Sequence, residues 1–249
     1  MQGVFFDLFG TLMIYSNSRK AWEDWLRVLY ENFKKFGLNE EKESFAMKCN
    51  GIMNKPEPNY RNLNLTIFEQ RIYSLTIELN LEIKHEEISR IANDAVNAWQ
   101  KYVSLDPDAI SVLNALKKNK TLALISNFDH PPHIYSLLSN LKLKHFFDII
   151  IISSEVGIKK PNPLIFSFAL KQTNLKPSEV CYVGDTENDM IAAIDAKILP
   201  ILIKREMNTG DELLYDYTTE ISIPNMDTLY IDLKKVKVVE SLKDLIKIV

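Results

Sequence analysis

The sequence predicts an α/β protein: a parallel sheet covered by helices on both faces, with an all-helical insert after the first strand. Three observations carry this. Short runs of strand length, apolar on both faces, recur at residues 4–8, 122–126, 149–153, 180–184 and 199–203, as strands buried between two helical layers require. Helical patterns separate the later runs, and such alternation specifies a doubly wound sheet. Between the first and second runs the periodicity is helical throughout, which sets an insert at 15–103 inside a core made of 1–14 and 104–249.

Taken in order, the first strand, 4–8, carries Asp7 near its end. The insert follows. Trp22, Trp25, Leu26, Leu29 and Phe33 share one helix face, as do Phe68, Ile72, Leu75 and Leu79, and again Ile88, Ile91, Ala95 and Trp99. Spacings of three and four residues build a bundle core. The irregular stretch 50–65, with Pro56, Pro58 and Arg61, reads as an exposed loop. Asp106-Pro107 is expected to cap and open a helix running to Leu116. The strand 122–126 ends in Ser126-Asn127, ahead of a helix opening at Pro131 or Pro132. After the strand 149–153, Asn162-Pro163 is expected to open a helix to Leu170. Strands 180–184 and 199–203 follow; Lys197 stands in the turn between their connecting helix and the latter. The polar stretch 205–237 is longer than an αβ connection needs, and Ser241 is placed to cap a last helix bearing Leu242, Leu245, Ile246 and Val249.

With 249 residues, 46% hydrophobic and 25% charged, the chain can bury a large core. A net charge of −3 supplies no field to draw in a polyanion, so nucleic acid is not an expected partner. The first residues lack a basic segment followed by an apolar one, because Asp7 interrupts the apolar run, and no run approaches membrane-spanning length. Two distant cysteines, Cys49 and Cys181, form no metal or disulfide pattern. A soluble, cytoplasmic protein, monomer or homodimer, is expected.

The residues with chemistry gather where strands end. Asp7 precedes Leu8-Phe9-Gly10-Thr11; Ser126 and Asn127 offer a hydroxyl and an amide beside free N–H groups, an anion cradle. Lys160, fixed against Pro161, is set to meet an anion, whereas Lys159 reads as a solvated lysine. Asp185 and Asp189 follow Val183-Gly184. With Asp7 they would bring three carboxylates to one sheet edge, which repel one another unless a cation sits among them; oxygen ligands of this kind suit Mg²⁺. His130 and His133 have an HxxH spacing across two prolines, and His130 is expected at the rim.

The order Asp7-x-x-Gly10-Thr11, Ser126-Asn127, Lys160-Pro161, Gly184-Asp185 with Asn188-Asp189 resembles the four motifs of the haloacid dehalogenase superfamily, and the insert resembles its alpha-helical cap. The resemblance implies a Rossmann-like core, Asp7 as nucleophile and metal ligand, and the Phe9 carbonyl on the same metal. It makes Thr11 the group that orients the nucleophile loop. Ser126, Asn127 and Lys160 would hold the transferring group of a small-molecule substrate. Asp185 would ligate Mg²⁺, and Asp189 would support the metal directly or through water. It implies a Mg²⁺-dependent phosphatase working through an aspartyl-phosphate. One departure stands out: where superfamily phosphatases usually carry a second Asp as general acid and base, this chain has Phe9. An apolar residue there also occurs in the metal-independent 2-haloacid dehalogenase branch, which has no carboxylate at the place of Asp185 and a tyrosine at that of Phe166. That activity, and a weakly active or non-catalytic binder of phosphate compounds, are the alternatives.

Overall fold

The computed structural model describes residues 1–60, 63–205 and 236–249. Its elements run β1 (Gly3–Phe6), β2 (Met13–Tyr15), α1 (Ser18–Lys35), α2 (Lys42–Cys49), α3 (Ile67–Glu78), α4 (His85–Gln100), β3 (Val103–Leu105), α5 (Ala109–Lys117) and β4 (Thr121–Ser126). They continue with α6 (Pro131–Asn140), β5 (Ile149–Ile152), α7 (Ser153–Val156), α8 (Ile165–Thr173), β6 (Val180–Gly184), α9 (Glu187–Asp195), β7 (Leu199–Ile203), β8 (Lys237–Val239) and α10 (Leu242–Ile248). Among the described residues the chain forms two compact units, one of Met1–Ile14 with 105–205 and 236–249, the other Tyr15–Ser104.

In the first unit a six-stranded sheet has the order β5-β4-β1-β6-β7-β8, with every neighbouring pair parallel. β1 is therefore flanked by β4 and β6, and the chain fills the sheet first on one side of it and then on the other. That reversal is the switch point at which open α/β sheets leave a crevice at the carboxyl ends of their strands. The register is tight: Phe6 pairs with Leu124 on one side and Val183 on the other. One residue further, Asp7, Ile125 and Gly184 are level, which delivers the motif residues to one edge. Below them Phe5, Ala123, Ile125, Tyr182 and the helical residues Ile165, Phe166, Ala169, Ala192 and Ala193 form a buried core. Each large apolar side chain buried there contributes roughly 1.5–3 kcal/mol.

The second unit uses the stripes read from the sequence. Trp25, Leu26, Leu29 and Phe33 of α1 are buried, with Phe68, Ile72 and Leu75 of α3 and Ile88, Ile91 and Ala95 of α4. Trp22 stacks on Trp25 with centroids 4.6 Å apart. In the stretch 50–65 the Arg71 guanidinium donates to the carbonyls of Ile52 and Lys55 at 2.9 and 2.8 Å, tying that loop to α3; Arg61 itself lies outside the described residues. Among the described residues no helix is long and apolar enough to cross a membrane.

Several local expectations change. α5 starts at Ala109 and not at Pro107, after a turn in which Asp106 accepts from Asp108 N–H at 2.8 Å; its other oxygen meets Arg205 at 2.7 Å. α8 likewise starts at Ile165, after a turn in which Asn162 accepts from Leu164 N at 3.0 Å. Lys197 itself takes φ +59 in its turn, the left-handed conformation that glycine takes freely. Most of the polar stretch 205–237 lies outside the described residues; at its ends stand Arg205 and β8, the sixth strand, too short to signal itself in a polar sequence. Ser241 caps α10 as expected, with Asp244 returning to its N–H at 3.2 Å.

Candidate active site

Asp7, Ser126 and Asp185 stand at the ends of strands, Lys160 in the loop between α7 and α8, and Asp189 on α9. The Asp7 N–H donates to Val183 O at 2.8 Å, the last ladder bond before β1 turns away. The turn that follows is tight: Leu12 and Met13 both return their N–H groups to Leu8 O, and Gly10 N–H donates to Met13 O at 2.7 Å. Gly10 has φ +82, and a Cβ on it would lie 1.9 Å from Asp185 Oδ2. Glycine is needed there because a carboxylate from another strand occupies the space.

On the far side of β1, Ser126 ends β4 and is buried. Asn127, expected to face a substrate, uses both ends of its amide on the main chain of Lys160: its Nδ2 donates to Lys160 O and its Oδ1 accepts from Lys160 N, each at 2.9 Å. This clamp holds the Lys160 loop. Lys160 is buried while Lys159 is exposed. Its ammonium meets Asp7 Oδ1 at 2.6 Å and Asp189 Oδ1 at 2.7 Å, Tyr182 Oη at 2.7 Å and Ile125 O at 3.2 Å.

Asp189 sits in the first turn of α9, and its second oxygen accepts from Thr186 N at 3.0 Å and Thr186 Oγ1 at 2.7 Å. Both of its oxygens are thus engaged in capping the helix and holding Lys160. Asp185 is half-buried and accepts from Thr11 Oγ1 at 3.3 Å. Asp7, Asp185 and Asp189 each offer an oxygen within 4.8 Å of the others. Three carboxylates against one ammonium leave two negative charges in excess, which one divalent cation would balance. Desolvation, with repulsion from Asp189 and Asp7, pushes the Asp185 carboxyl well above the ordinary range. Burial pushes Asp7 up to about 6, against the pull of Lys160 and with repulsion from Asp189. Burial alone would lower Lys160, but Asp189 and Asp7 outweigh it and hold the ammonium charged. These groups fit a divalent cation: hard oxygens, excess charge and a Cβ-free approach at Gly10.

Other expectations are revised. Phe9 turns its ring onto Phe128, centroids 5.2 Å apart, and Phe128 stacks on His133 at 5.9 Å. His130 is not at the rim; it is 1% exposed, and His133 beside it is lowered to about 4 by burial and by His130. Phe166 packs edge-on against Tyr182 at 4.7 Å. Two site residues were not legible. Tyr182 is hidden in the apolar run of β6; a phenol in a fully buried strand needs a polar partner, and that was the available signal. Arg205 donates to the carbonyls of Gly10 and Thr11, bracing the turn after Asp7; it stood at the head of a polar stretch and gave none.

A carboxylate-ended central strand, a lysine clamped beside it and further carboxylates from the next strand thus stand together at the switch point of the sheet. The chain belongs to the family of haloacid dehalogenase-like hydrolases, whose family model matches residues 1–197. Among characterised proteins it is 37% identical over 108 residues to the pyrimidine 5'-nucleotidase YjjG of Escherichia coli, a match covering 41% of this chain and 45% of that protein. The chain thus spans about half the length of the curated relatives it matches. Among solved structures it is similar to a HAD phosphatase from Thermococcus onnurineus, with a TM-score of 0.63 at 19% identity over 100% of this chain and 97% of that one. It is also similar to the 2-haloacid dehalogenase of Pseudomonas syringae, with a TM-score of 0.55 at 20% identity over 86% and 91%. At these identities the two structures speak to the fold.

Proposed function

We propose that this chain is a Mg²⁺-dependent phosphatase that hydrolyses small phosphorylated metabolites through a phospho-Asp7 intermediate. The observation that carries the reading is Asp185, which joins Asp7 and Asp189 in one cluster of carboxylates with charge to spare for a divalent cation. Asp7 and Asp185 are the side chains left to hold Mg²⁺, with the Phe9 carbonyl the expected main-chain ligand; Asp189, whose oxygens are taken, supports them through Lys160. A bound Mg²⁺ supplies positive charge to the transferring phosphoryl group.

The chain's own residues account for the rest. Asp7, one oxygen fixed by Lys160, attacks phosphorus; the bond to the ester oxygen breaks, and water then attacks the acyl phosphate to release phosphate and regenerate the carboxylate. Lys160, held charged, and the Asn127 N–H offset the negative charge that develops, the Phe128 N–H being taken by Ser153 Oγ at 3.1 Å. Ser126 supplies a hydroxyl to the phosphoryl oxygens, and Thr11 keeps Asp185 in place. Phe9 gives up no proton, so the leaving oxygen departs largely unprotonated. The helical unit Tyr15–Ser104 is the part to which we assign the choice of substrate.

Phe9 is also the one observation that favours a second reading, 2-haloacid hydrolysis, in which the leaving halide needs no proton. A single screen separates the two. Nucleoside monophosphates, sugar phosphates, acetyl phosphate and nitrophenyl phosphate are tested beside 2-chloropropionate, each with Mg²⁺ and with EDTA. Phosphate release that vanishes with EDTA is expected; halide release that survives EDTA, with every phosphate inert, would overturn the phosphatase reading.

A further inference from the structure

The buried tyrosine of β6 is the strongest unassigned group in the molecule. Lys160 Nζ has three protons and four oxygen neighbours: Asp7 Oδ1 at 2.6 Å, Asp189 Oδ1 at 2.7 Å, Tyr182 Oη at 2.7 Å and Ile125 O at 3.2 Å. The Tyr182 hydroxyl has one proton and two acceptors in reach, Ile125 O at 3.0 Å and Asp189 Oδ1 at 3.2 Å. Four protons thus meet a closed set of oxygens, with Lys160 and Tyr182 both buried. The allotment that uses the four shortest contacts places the lysine protons on Asp7, Asp189 and Tyr182, and the phenol proton on the main chain of β4. Every donor is then used once, as a buried network requires.

We propose that Tyr182 is a positioning residue for the reaction at Asp7, acting through Lys160. The phenol accepts the third ammonium proton and passes the bond on to Ile125 O, so the ammonium is fixed at three points and one N–H stays on Asp7 Oδ1. The ring cannot drift, because Phe166 packs edge-on against it at 4.7 Å and it stands in register with Phe5 on the same sheet face. Without the hydroxyl, Ile125 O at 3.2 Å is the remaining partner for the third proton. The third proton then has only that longer contact, and the ammonium is held closely by the two carboxylates alone. A displacement well under 1 Å at a group beside the nucleophile is enough to slow attack.

The kinetic part of this inference rests on the phosphatase reading; the proton allotment does not. The test uses the full chain and Tyr182→Phe, alone and combined with Lys160→Met. With Mg²⁺ and acetyl phosphate or nitrophenyl phosphate, single-turnover labelling of Asp7 should slow roughly tenfold in Tyr182→Phe, the scale of losing one hydrogen bond to a charged group. The Mg²⁺-induced rise in melting temperature should be unchanged, and in the Lys160→Met background Tyr182→Phe should have no further effect. A merely structural tyrosine would lower the rate equally in both backgrounds. The second readout needs no turnover: in protein labelled with ¹⁵N-lysine, the buried Lys160 ammonium should give a slowly exchanging signal that Lys160→Met removes and Tyr182→Phe weakens or broadens. An undiminished ammonium signal in Tyr182→Phe, or a rate loss that persists without Lys160, overturns the proposal. If no phosphate labels Asp7 in the native protein, the phosphatase reading fails, and the ammonium signal alone decides the role of Tyr182.

Discussion

Replacing Asp185 by asparagine should move stability and function in opposite directions. The substitution keeps the shape that Gly10 accommodates and removes a carboxyl that ionises only against desolvation and the repulsion of Asp189 and Asp7. The metal-free protein should therefore melt higher, by about 2–4 °C for each kcal/mol of repulsion relieved in a chain of this size. Turnover and the stabilisation given by Mg²⁺ should both be lost, which thermal melts with and without the ion will read. Phe9 supports a second prediction at this scale. The native protein should favour aryl and acyl phosphates over alkyl ones, and Phe9→Asp should raise alkyl phosphate turnover, toward the roughly 10²- to 10⁴-fold that a general acid contributes. Rates independent of leaving-group pKa would mean that another residue supplies the proton. The positions of the residues that carry these predictions could be read from the sequence because Asp185 directly follows an apolar strand and Phe9 lies in the turn after another. Those of Tyr182 and Arg205 could not, since their significance lies in partners from other strands: Ile125 and Lys160 for the phenol, Gly10 and Thr11 for the guanidinium.

Among the elements, strands were read more accurately than helix starts. An apolar run buried on both faces has few alternatives, whereas an Asp-Pro or Asn-Pro pair fits a helix cap and a turn equally well. Asp106 and Asn162 each close such a turn, on Asp108 N–H and Leu164 N–H, and the helix begins after it. Lys197 stands in a turn of a different kind. The left-handed conformation of a side-chain-bearing residue costs about 1–2 kcal/mol, and here the packing of α9 against β7 imposes it. Lys197→Gly should stabilise the protein by about 0.5–1 kcal/mol, once the extra freedom of glycine in the unfolded chain is subtracted. Urea unfolding that shows no gain would mean that the lysine makes a compensating contact.

For the molecule as a whole, pH should act with one sign through the site carboxylates, Asp7 and Asp185, and with the other through His133. Asp7, raised from 3.8 to about 6, makes the metal-free native state hold a proton that the unfolded chain has released; this stabilisation is complete below 3.8 and lost as pH rises through 6. His133, lowered from 6.5 to about 4, stabilises above 6.5 and loses that contribution as pH falls through 4. The two partly cancel between pH 4 and 6, so the metal-free stability curve hides both. The difference made by Mg²⁺ isolates the site carboxylates, because the cation and the proton compete for Asp7 and Asp185. The Mg²⁺-induced rise in melting temperature should be large at pH 7.5 and small at pH 5. A rise independent of pH would show that the metal does not bind at Asp7 and Asp185.

The pairing of β2 with β3 bears on how such a chain assembles. β1 must find β4, yet Tyr15–Ser104 lies between them, and closing a loop of that length costs about 4 kcal/mol. Ser16 N–H and Oγ both donate to Tyr102 O, at 2.8 and 3.1 Å, so the two ends of the intervening stretch are held one strand spacing apart. Once its helices have folded, the remainder of the chain meets a short connection in place of a long one. The nucleophile strand is then brought to its partners at the entropic cost of a tight turn, and the helical unit acts as the clasp that makes a discontinuous core fold as if it were continuous.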